Sequence, residues 1–225
     1  MIKRFPVRNL IILLAVLVIP SLAYLLLRQG ENKYKTLEIY GPRHASTIGG
    51  KDTVYHSVGA FSLTNHLGQA FTDEILENKI HIADFFFATC KTICPKMSGQ
   101  MQRIQYAVKD DPDVILVSFT VDPIRDSVSA LAEYAKQYQA IQGKWHFVTG
   151  NKKQIYDLAR NSYFITAMEG NGEPDDFIHS EKIVLVDKEG HIRGFYDGTD
   201  PDDTGRLLDE LKVLRWEYGH RDPEY

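Results

Sequence analysis

The sequence predicts one α/β domain with a mixed central sheet flanked by helices, preceded by one N-terminal transmembrane helix. Three observations carry this expectation. Residues 80–87 and 114–121 are near-continuous apolar runs, the composition of strands covered on both faces. From residue 53 onward strand-like and helical periodicities alternate, without internal repeats or a linker. Residues 10–27 are apolar apart from Ser21 and Tyr24, with Pro20 in the middle, close to the ~18–20 residues that a helix needs to cross the hydrocarbon core.

Lys3, Arg4 and Arg8 precede that run and Arg28 closes it. The positive-inside rule then places the N-terminus in the cytoplasm and everything after Arg28 outside, as for a single-pass protein of a bacterial-type cytoplasmic membrane with a periplasmic, extracytoplasmic domain. Ser21-Leu22-Ala23 is a passable signal-peptide cleavage site. The apolar run continues past it through Leu25, Leu26 and Leu27, which favours an uncleaved anchor, and no cysteine follows to make a lipoprotein. The expected organisation is an anchor at 1–28, a tether at 29–52 with one short strand at 37–40, the folded domain at 53–217 and a tail at 218–225. Residues 1–35 carry six Lys/Arg and one Glu, or +5, leaving −9 for the remainder of a chain whose formal charge is −4. An acidic body argues against nucleic-acid binding, which wants a basic patch on the folded domain.

In chain order, residues 54–64 read as a strand or hairpin arm closed by the turn Asn65-His66-Leu67-Gly68, and residues 80–87 as a buried strand. A helix over 95–108 places Met97, Met101, Ile104 and Val108 on one face at 4-3-4 spacing. Pro95 suits its first position, which makes Cys94 or a neighbour the cap. After the strand at 114–121, Asp126 is expected to cap a helix that turns Val128, Leu131, Ala135 and Tyr138 inward. A short strand at 145–148 follows, and then Asn151 with Gln154 as a capping box that opens a helix to about residue 161. Residues 181–186 and 191–196 form a hairpin through Asp187-Lys188-Glu189-Gly190. Asp200-Pro201 opens the last helix, with Leu207, Leu211 and Leu214 as its core stripe.

Cys90 and Cys94 are the only cysteines, and they straddle the junction between the strand at 80–87 and the helix after it. Such a pair can form a staple, cycle through a disulfide, or hold a soft metal. A staple closing a loop of about five residues is worth roughly 2 kcal/mol, against ~4 or more for long loops; a domain of this size hardly depends on it. A redox role needs a reactive thiol, and the helix N-terminus with Lys91 between the pair favours a thiolate. Dithiol oxidoreductases of the thioredoxin type, however, use two intervening residues and face the pair with a cis-proline before a later strand. Here three residues intervene, Pro174 is too far upstream, and His179 stands where that proline would be. Two thiolates and an imidazole form a soft, low-coordinate set suited to Cu(I) and able to hold Cu(II) with an extra ligand. Structural zinc usually takes four protein ligands, and no convincing fourth is evident. Cys90, Cys94 and His179 are therefore the candidate metal ligands. His81 and His191 read as structural or surface residues, and Met97 as core.

Together these residues resemble the SCO/SenC family, the thioredoxin-fold copper proteins of cytochrome c oxidase assembly. The resemblance is carried by the N-terminal apolar segment, Phe61-Ser62-Leu63-Thr64-Asn65-His66-Leu67-Gly68, Ile82-Ala83-Asp84-Phe85-Phe86-Phe87 and Cys90-Lys91-Thr92-Ile93-Cys94-Pro95-Lys96-Met97. It continues through Ser118-Phe119-Thr120-Val121-Asp122-Pro123-Ile124-Arg125-Asp126 and Ile178-His179-Ser180, covering about residues 53–217, with His179 85 residues after Cys94 (179 − 94). It implies a thioredoxin-like fold and copper, as Cu(I) or Cu(II), on Cys90, Cys94 and His179. It further implies a membrane-anchored copper chaperone, a metal donor rather than an enzyme. Its partner would be the dinuclear CuA centre of cytochrome c oxidase subunit II, with other copper chaperones as further partners. The alternative it implies is a thiol-disulfide reductase that keeps that subunit's copper-site cysteines reduced, with Cys90 and Cys94 as the redox pair. A peroxidase on the same fold is disfavoured, because the usual proline- and threonine-containing approach to a peroxidatic cysteine is missing. Two positions depart from the family's pattern: Lys91 stands where a proline often follows the first cysteine, and Ile178 where an acidic residue often precedes the histidine. Neither removes a ligand; Lys91 would favour thiolate, and Asp175 and Asp176 remain close to His179 in sequence. Asp122 reads as a turn former with Pro123 as readily as a neighbour of the site, and no catalytic role is assigned to it.

Overall fold

Runs of β-branched and aromatic residues with no polar alternation can form strands only where neither face meets water. In a computed structural model of the chain, which describes residues 14, 16–22, 36–45, 53–165 and 180–220, all seven residues of Ile80–Phe86 and all seven of Val114–Thr120 are buried. The strands are β1 (Arg43–Ala45), β2 (Thr53–Tyr55), β3 (Ser62–Asn65), β4 (Ala70–Thr72), β5 (Ile80–Phe86), β6 (Val114–Thr120), β7 (Trp145–Thr149), β8 (Lys182–Val186) and β9 (Ile192–Asp197). The helices are α1 (Cys94–Val108), α2 (Val128–Gln137), α3 (Lys152–Asp157), which runs on into a π turn at Leu158–Ser162, and α4 (Pro201–Gly219). Strands β1 and β2 pair with each other, and the other seven form one mixed sheet in the order β4-β3-β7-β6-β5-β8-β9. Its centre, β7-β6-β5, is parallel, and the outer strands add antiparallel. The two faces carry separate cores. Phe86, Met101, Leu131, Trp145 and Leu211 pack on the side of α1, α2 and α4, and Phe61, Phe85, Ile155, Leu158 and Tyr163 on the side of α3.

The core stripes expected of α1 (Met97, Met101, Ile104, Val108) and α4 (Leu207, Leu211, Leu214) are buried throughout. Four local readings change. The strand expected at 54–64 is two strands, because His56 N–H bonds Pro42 and Val58 N–H bonds Gly190, which takes the intervening backbone off any ladder. Residues 37–40 contribute only a bridge from Tyr40 to Ile192, and the strand lies at Arg43–Ala45. Ser127, not Asp126, caps α2 by accepting from Ala130 N–H, and Val128 and Tyr138 are only half-buried. Helix α1 begins at Cys94, so Pro95 is its second residue. Residues 14 and 16–22 are helical and exposed, in a unit (1–36) separate from the domain. Among the described residues no helix is long and apolar enough to cross a membrane. The rest of the span expected at 10–27 lies outside them, as do residues 46–52, His179 and the tail from 221.

The described residues 37–40 are tied to the domain by a buried charge cluster. Arg193 donates to Asp187 (3.0 Å), to Glu217 (2.6 Å) and to the carbonyl oxygens of Leu37 (2.8 Å) and Glu38 (3.3 Å), while Leu37 N–H donates back to Glu217 (2.6 Å). Removing one member of a buried pair leaves an uncompensated charge, which typically costs ~3–5 kcal/mol. Asp187 stays in place to share that charge, so Glu217→Ala is expected to destabilise the domain by about 3 kcal/mol, read as a lower urea midpoint at unchanged m-value. A midpoint equal to wild type would show that the cluster contributes nothing net.

Candidate metal centre

Helix α1 starts without a side-chain cap and without an acid in its first turn; Ile93 O receives the Lys96 and Met97 amides, which leaves the Cys94 amide in need of an acceptor from outside the helix. Pro95 itself has no amide to satisfy. The chain leaves β5 at Phe86, turns back through Phe87 (Cys90 N–H to Phe87 O, 3.1 Å), and sets the Cys90 sulfur 3.5 Å from the Cys94 N–H. A second donor, the Thr92 hydroxyl, lies 3.6 Å from the same sulfur. Both cysteines are free thiols, 9 % and 2 % exposed.

Their environments push the two thiols apart. Burial raises Cys90, but the hydrogen bonds from the Cys94 thiol and N–H and from Thr92 outweigh it and bring the thiol down to about 7. The lowering comes from these bonds rather than from the charge of exposed Lys91 that the sequence suggested. Burial drives Cys94 far above the ordinary thiol range, helped by its hydrogen bond to Cys90 and by the charges of Cys90 and Asp84. The pair therefore presents one ready thiolate and one held thiol.

Asp84 is the group that the sequence reading passed over, although a carboxylate inside an apolar strand is itself a signal. It sits on the same face of β5 as Ile80, Ile82 and Phe86, the face covered by α1. Its Oδ1 accepts from the Ser118 hydroxyl, whose oxygen accepts from the Trp145 indole N–H (2.9 Å), while Oδ2 has no hydrogen-bond partner among the described residues. Burial raises this carboxyl to about 7. Asp122 turns the chain, its carbonyl accepting from the Arg125 and Asp126 amides (3.1 and 2.9 Å) and its carboxylate lying 3.4 Å from Arg125 Nη1. The turn reading of that residue is the one the geometry favours.

Cys90 and Cys94 come together as expected. His179 lies outside the described residues, and Ser180 is the first described residue after it. His81 is fully buried with Nε2 2.9 Å from the Tyr163 hydroxyl, and desolvation lowers it to about 3, so it is a neutral core residue. His191 lies 3.5 Å from Asp187 in the β8–β9 hairpin. With Glu189 these two form, among the described residues, the one cluster whose ligand atoms fall within 4.8 Å of one another. Arg193 already neutralises Asp187 there.

The class this defines is a mixed α/β domain bearing an asymmetric dithiol at the start of its first helix. Comparison with known proteins narrows it. The family model described as SCO1/SenC matches residues 50–214. A SCO1 protein homolog of Bacillus subtilis is 30% identical over 164 residues, covering 72% of this chain and 84% of that protein. The solved structure of BsSco, described as a member of the Sco family of cytochrome c oxidase assembly proteins with a disulfide switch, is 30% identical with a TM-score of 0.60, over 71% of this chain and 93% of that one. Arabidopsis thaliana ScoI, solved with copper bound, is likewise 30% identical with a TM-score of 0.56, over 68% and 97%. The chain belongs to the SCO1/SenC family.

Two outcomes follow from the electrostatics. Iodoacetamide should alkylate Cys90 with a rate midpoint near pH 7 and leave Cys94 behind in the reduced protein, as read by peptide mass spectrometry; equal rates at both sites would contradict the asymmetry. Because the Asp84 carboxyl titrates higher folded than unfolded, the folded state holds a proton that the unfolded chain has lost between about pH 4 and pH 7. Its contribution to stability is present below that window and lost as pH rises through it, on the order of 4 kcal/mol in all. Asp84→Asn should flatten this decline in urea unfolding at stepped pH, and an unchanged slope would refute the assignment.

Proposed function

We propose that the protein is a membrane-anchored copper chaperone on the extracytoplasmic side of a bacterial-type cytoplasmic membrane. In this reading it holds copper through Cys90, Cys94 and His179 and delivers it to the CuA centre of cytochrome c oxidase subunit II. The observation that carries the reading is the convergence of two free thiols on one helix N-terminus, one of them lowered to about 7. Soft sulfur donors of this kind select Cu(I), and the thiol protons are displaced as metal binds. Cys90, the readier thiolate, makes the first bond, and Cys94 releases its proton once the metal charge replaces it. The position of Ser180 is consistent with a third ligand at 179. Strand β8 runs antiparallel to β5 with Ile183 opposite Asp84, so the N-terminal end of β8 lies at the sheet end where β5 hands over to the cysteines. The copper-bound and oxidase-assembly descriptions of ScoI and BsSco support cargo and partner alike.

A dithiol flanked in sequence by exposed Thr89, Lys91 and Thr92 suits ligand exchange, in which a partner's thiolates replace Cys90 and Cys94 one at a time. The same pair, oxidised to a disulfide, would release the metal. A second reading, a thiol-disulfide reductase acting on the oxidase copper-site cysteines, draws on the lowered Cys90 thiol. Titration of the reduced protein with Cu(I) under anaerobic conditions separates the two. The chaperone reading expects one tightly held copper per chain and affinity at least about tenfold weaker in His179→Ala. Disulfide reduction at full rate in that variant, with no stoichiometric copper in wild type, would replace it with the reductase.

A further inference from the structure

The loop that presents Cys90 is not held by its own sequence. Beyond β5 the backbone has left the ladder, and its last sheet bond is Phe86 O accepting from Val121 N–H at 2.8 Å. Two residues on, Ala88 N–H donates to Oδ2 of Asp126 at 3.0 Å, on the segment that follows β6. The same oxygen accepts from the Thr120 hydroxyl at 2.5 Å, whose own oxygen accepts from Asp122 N–H at 3.0 Å. Asp126 is 1 % exposed and does not cap α2, a role that Ser127 fills. A buried carboxylate with no duty to its own helix, aimed at a loop amide between the strand and the first thiol, needs a reason.

We infer that Asp126 is a positioning residue for the metal thiolate: it latches Ala88 so that the Phe87–Cys90 turn sets the Cys90 sulfur against the Cys94 and Thr92 donors. Such a latch acts through the backbone, two residues upstream of the sulfur. Without it the Ala88 amide loses its acceptor and the turn is free to carry Cys90 off the α1 N-terminus. Outer partners of metal ligands typically alter affinity 10–100-fold when removed. One oxygen accepts both hydrogen bonds, so an amide oxygen at the same place can serve, and the charge itself is dispensable. The inference rests on the copper reading for its consequence, but the latch stands on geometry alone.

The test compares the full-length wild type with Asp126→Ala and Asp126→Asn. In the alanine variant Cu(I) affinity should fall 10–100-fold and the dithiol should become more reducing, because the thiolate form loses its donors. The asparagine variant should return both to within about threefold of wild type. A folded alanine variant with unchanged affinity and potential overturns the inference, and so does failure of asparagine to restore them. Should alanine prevent folding, hydrogen exchange of the Ala88 amide in wild type decides: protection well above that of the exposed Thr89 amide supports the latch, and equal exchange sinks it. If wild type binds no Cu(I), the copper reading fails separately, while potential and exchange still judge Asp126.

Discussion

Helix α1 opens without a side-chain cap; Ile93 O receives the Lys96 and Met97 amides and Pro95 has none to give, and the Cys94 amide finds its acceptor in the Cys90 sulfur. Most of what distinguishes the site follows. A sulfur that accepts from a helix N-terminus is stabilised as thiolate by the local donors and by the dipole behind them. Cys94, buried at the helix's first residue, gains a backbone hydrogen bond from Phe87, but burial and its bond to Cys90 outweigh it and keep it a thiol. The two sulfurs are four residues apart in sequence and chemically unequal because of this single arrangement.

Rigidity under the site comes from the parallel pairing of β5 with β6, which runs in register from Ile80 opposite Val114 to Phe86 opposite Thr120. Parallel strands end on the same side of a sheet, so the loops after β5 and β6 emerge together, and Asp126 and Ala88 can meet. Two carboxylates then bear on the dithiol at different depths, one electrostatically on Cys94 and the other through the Ala88 amide before Cys90. Asp84 is enclosed in the sheet with Ser118 and Trp145 and disfavours a second negative charge at Cys94. Asp126 sits where the loops leave the sheet and spends its hydrogen bonds on backbone and hydroxyl donors. Buried acids are tolerated in this way only when each has a partner or keeps its proton, and the pair illustrates both solutions.

A dithiol so arranged unites two chemistries that are often treated as rivals. On the reading proposed above, metal capture and disulfide formation would both begin with the Cys90 thiolate and finish with the proton of Cys94, drawing on the same atoms. The environment that makes the first step easy and the second conditional suits the proposed role of holding copper and giving it up.

Composition and periodicity were enough to identify the α/β class, the buried central strands, the stripes of α1 and α4 and the strand–helix position of the cysteines. Each of these depends on local pattern or on neighbours in the chain. The residues that tune the site were not legible in the same way. Asp126 looks like a helix cap because it stands one residue from one, and only the pairing of β5 with β6 shows that its carboxylate turns toward Ala88. Lys91 looks like the group that acidifies Cys90, yet hydrogen bonds from Cys94 and Thr92, set by how the turn closes, have that effect. Asp84 announces itself as a charge in an apolar strand, but its consequence depends on which face of the sheet α1 covers. The sequence alone settled which atoms could do the chemistry, since residue types and spacing are one-dimensional facts. How strongly each sulfur holds its proton was decided by tertiary structure, because burial comes from segments far apart in the chain and the nearby donors reach Cys90 only through the way its turn closes.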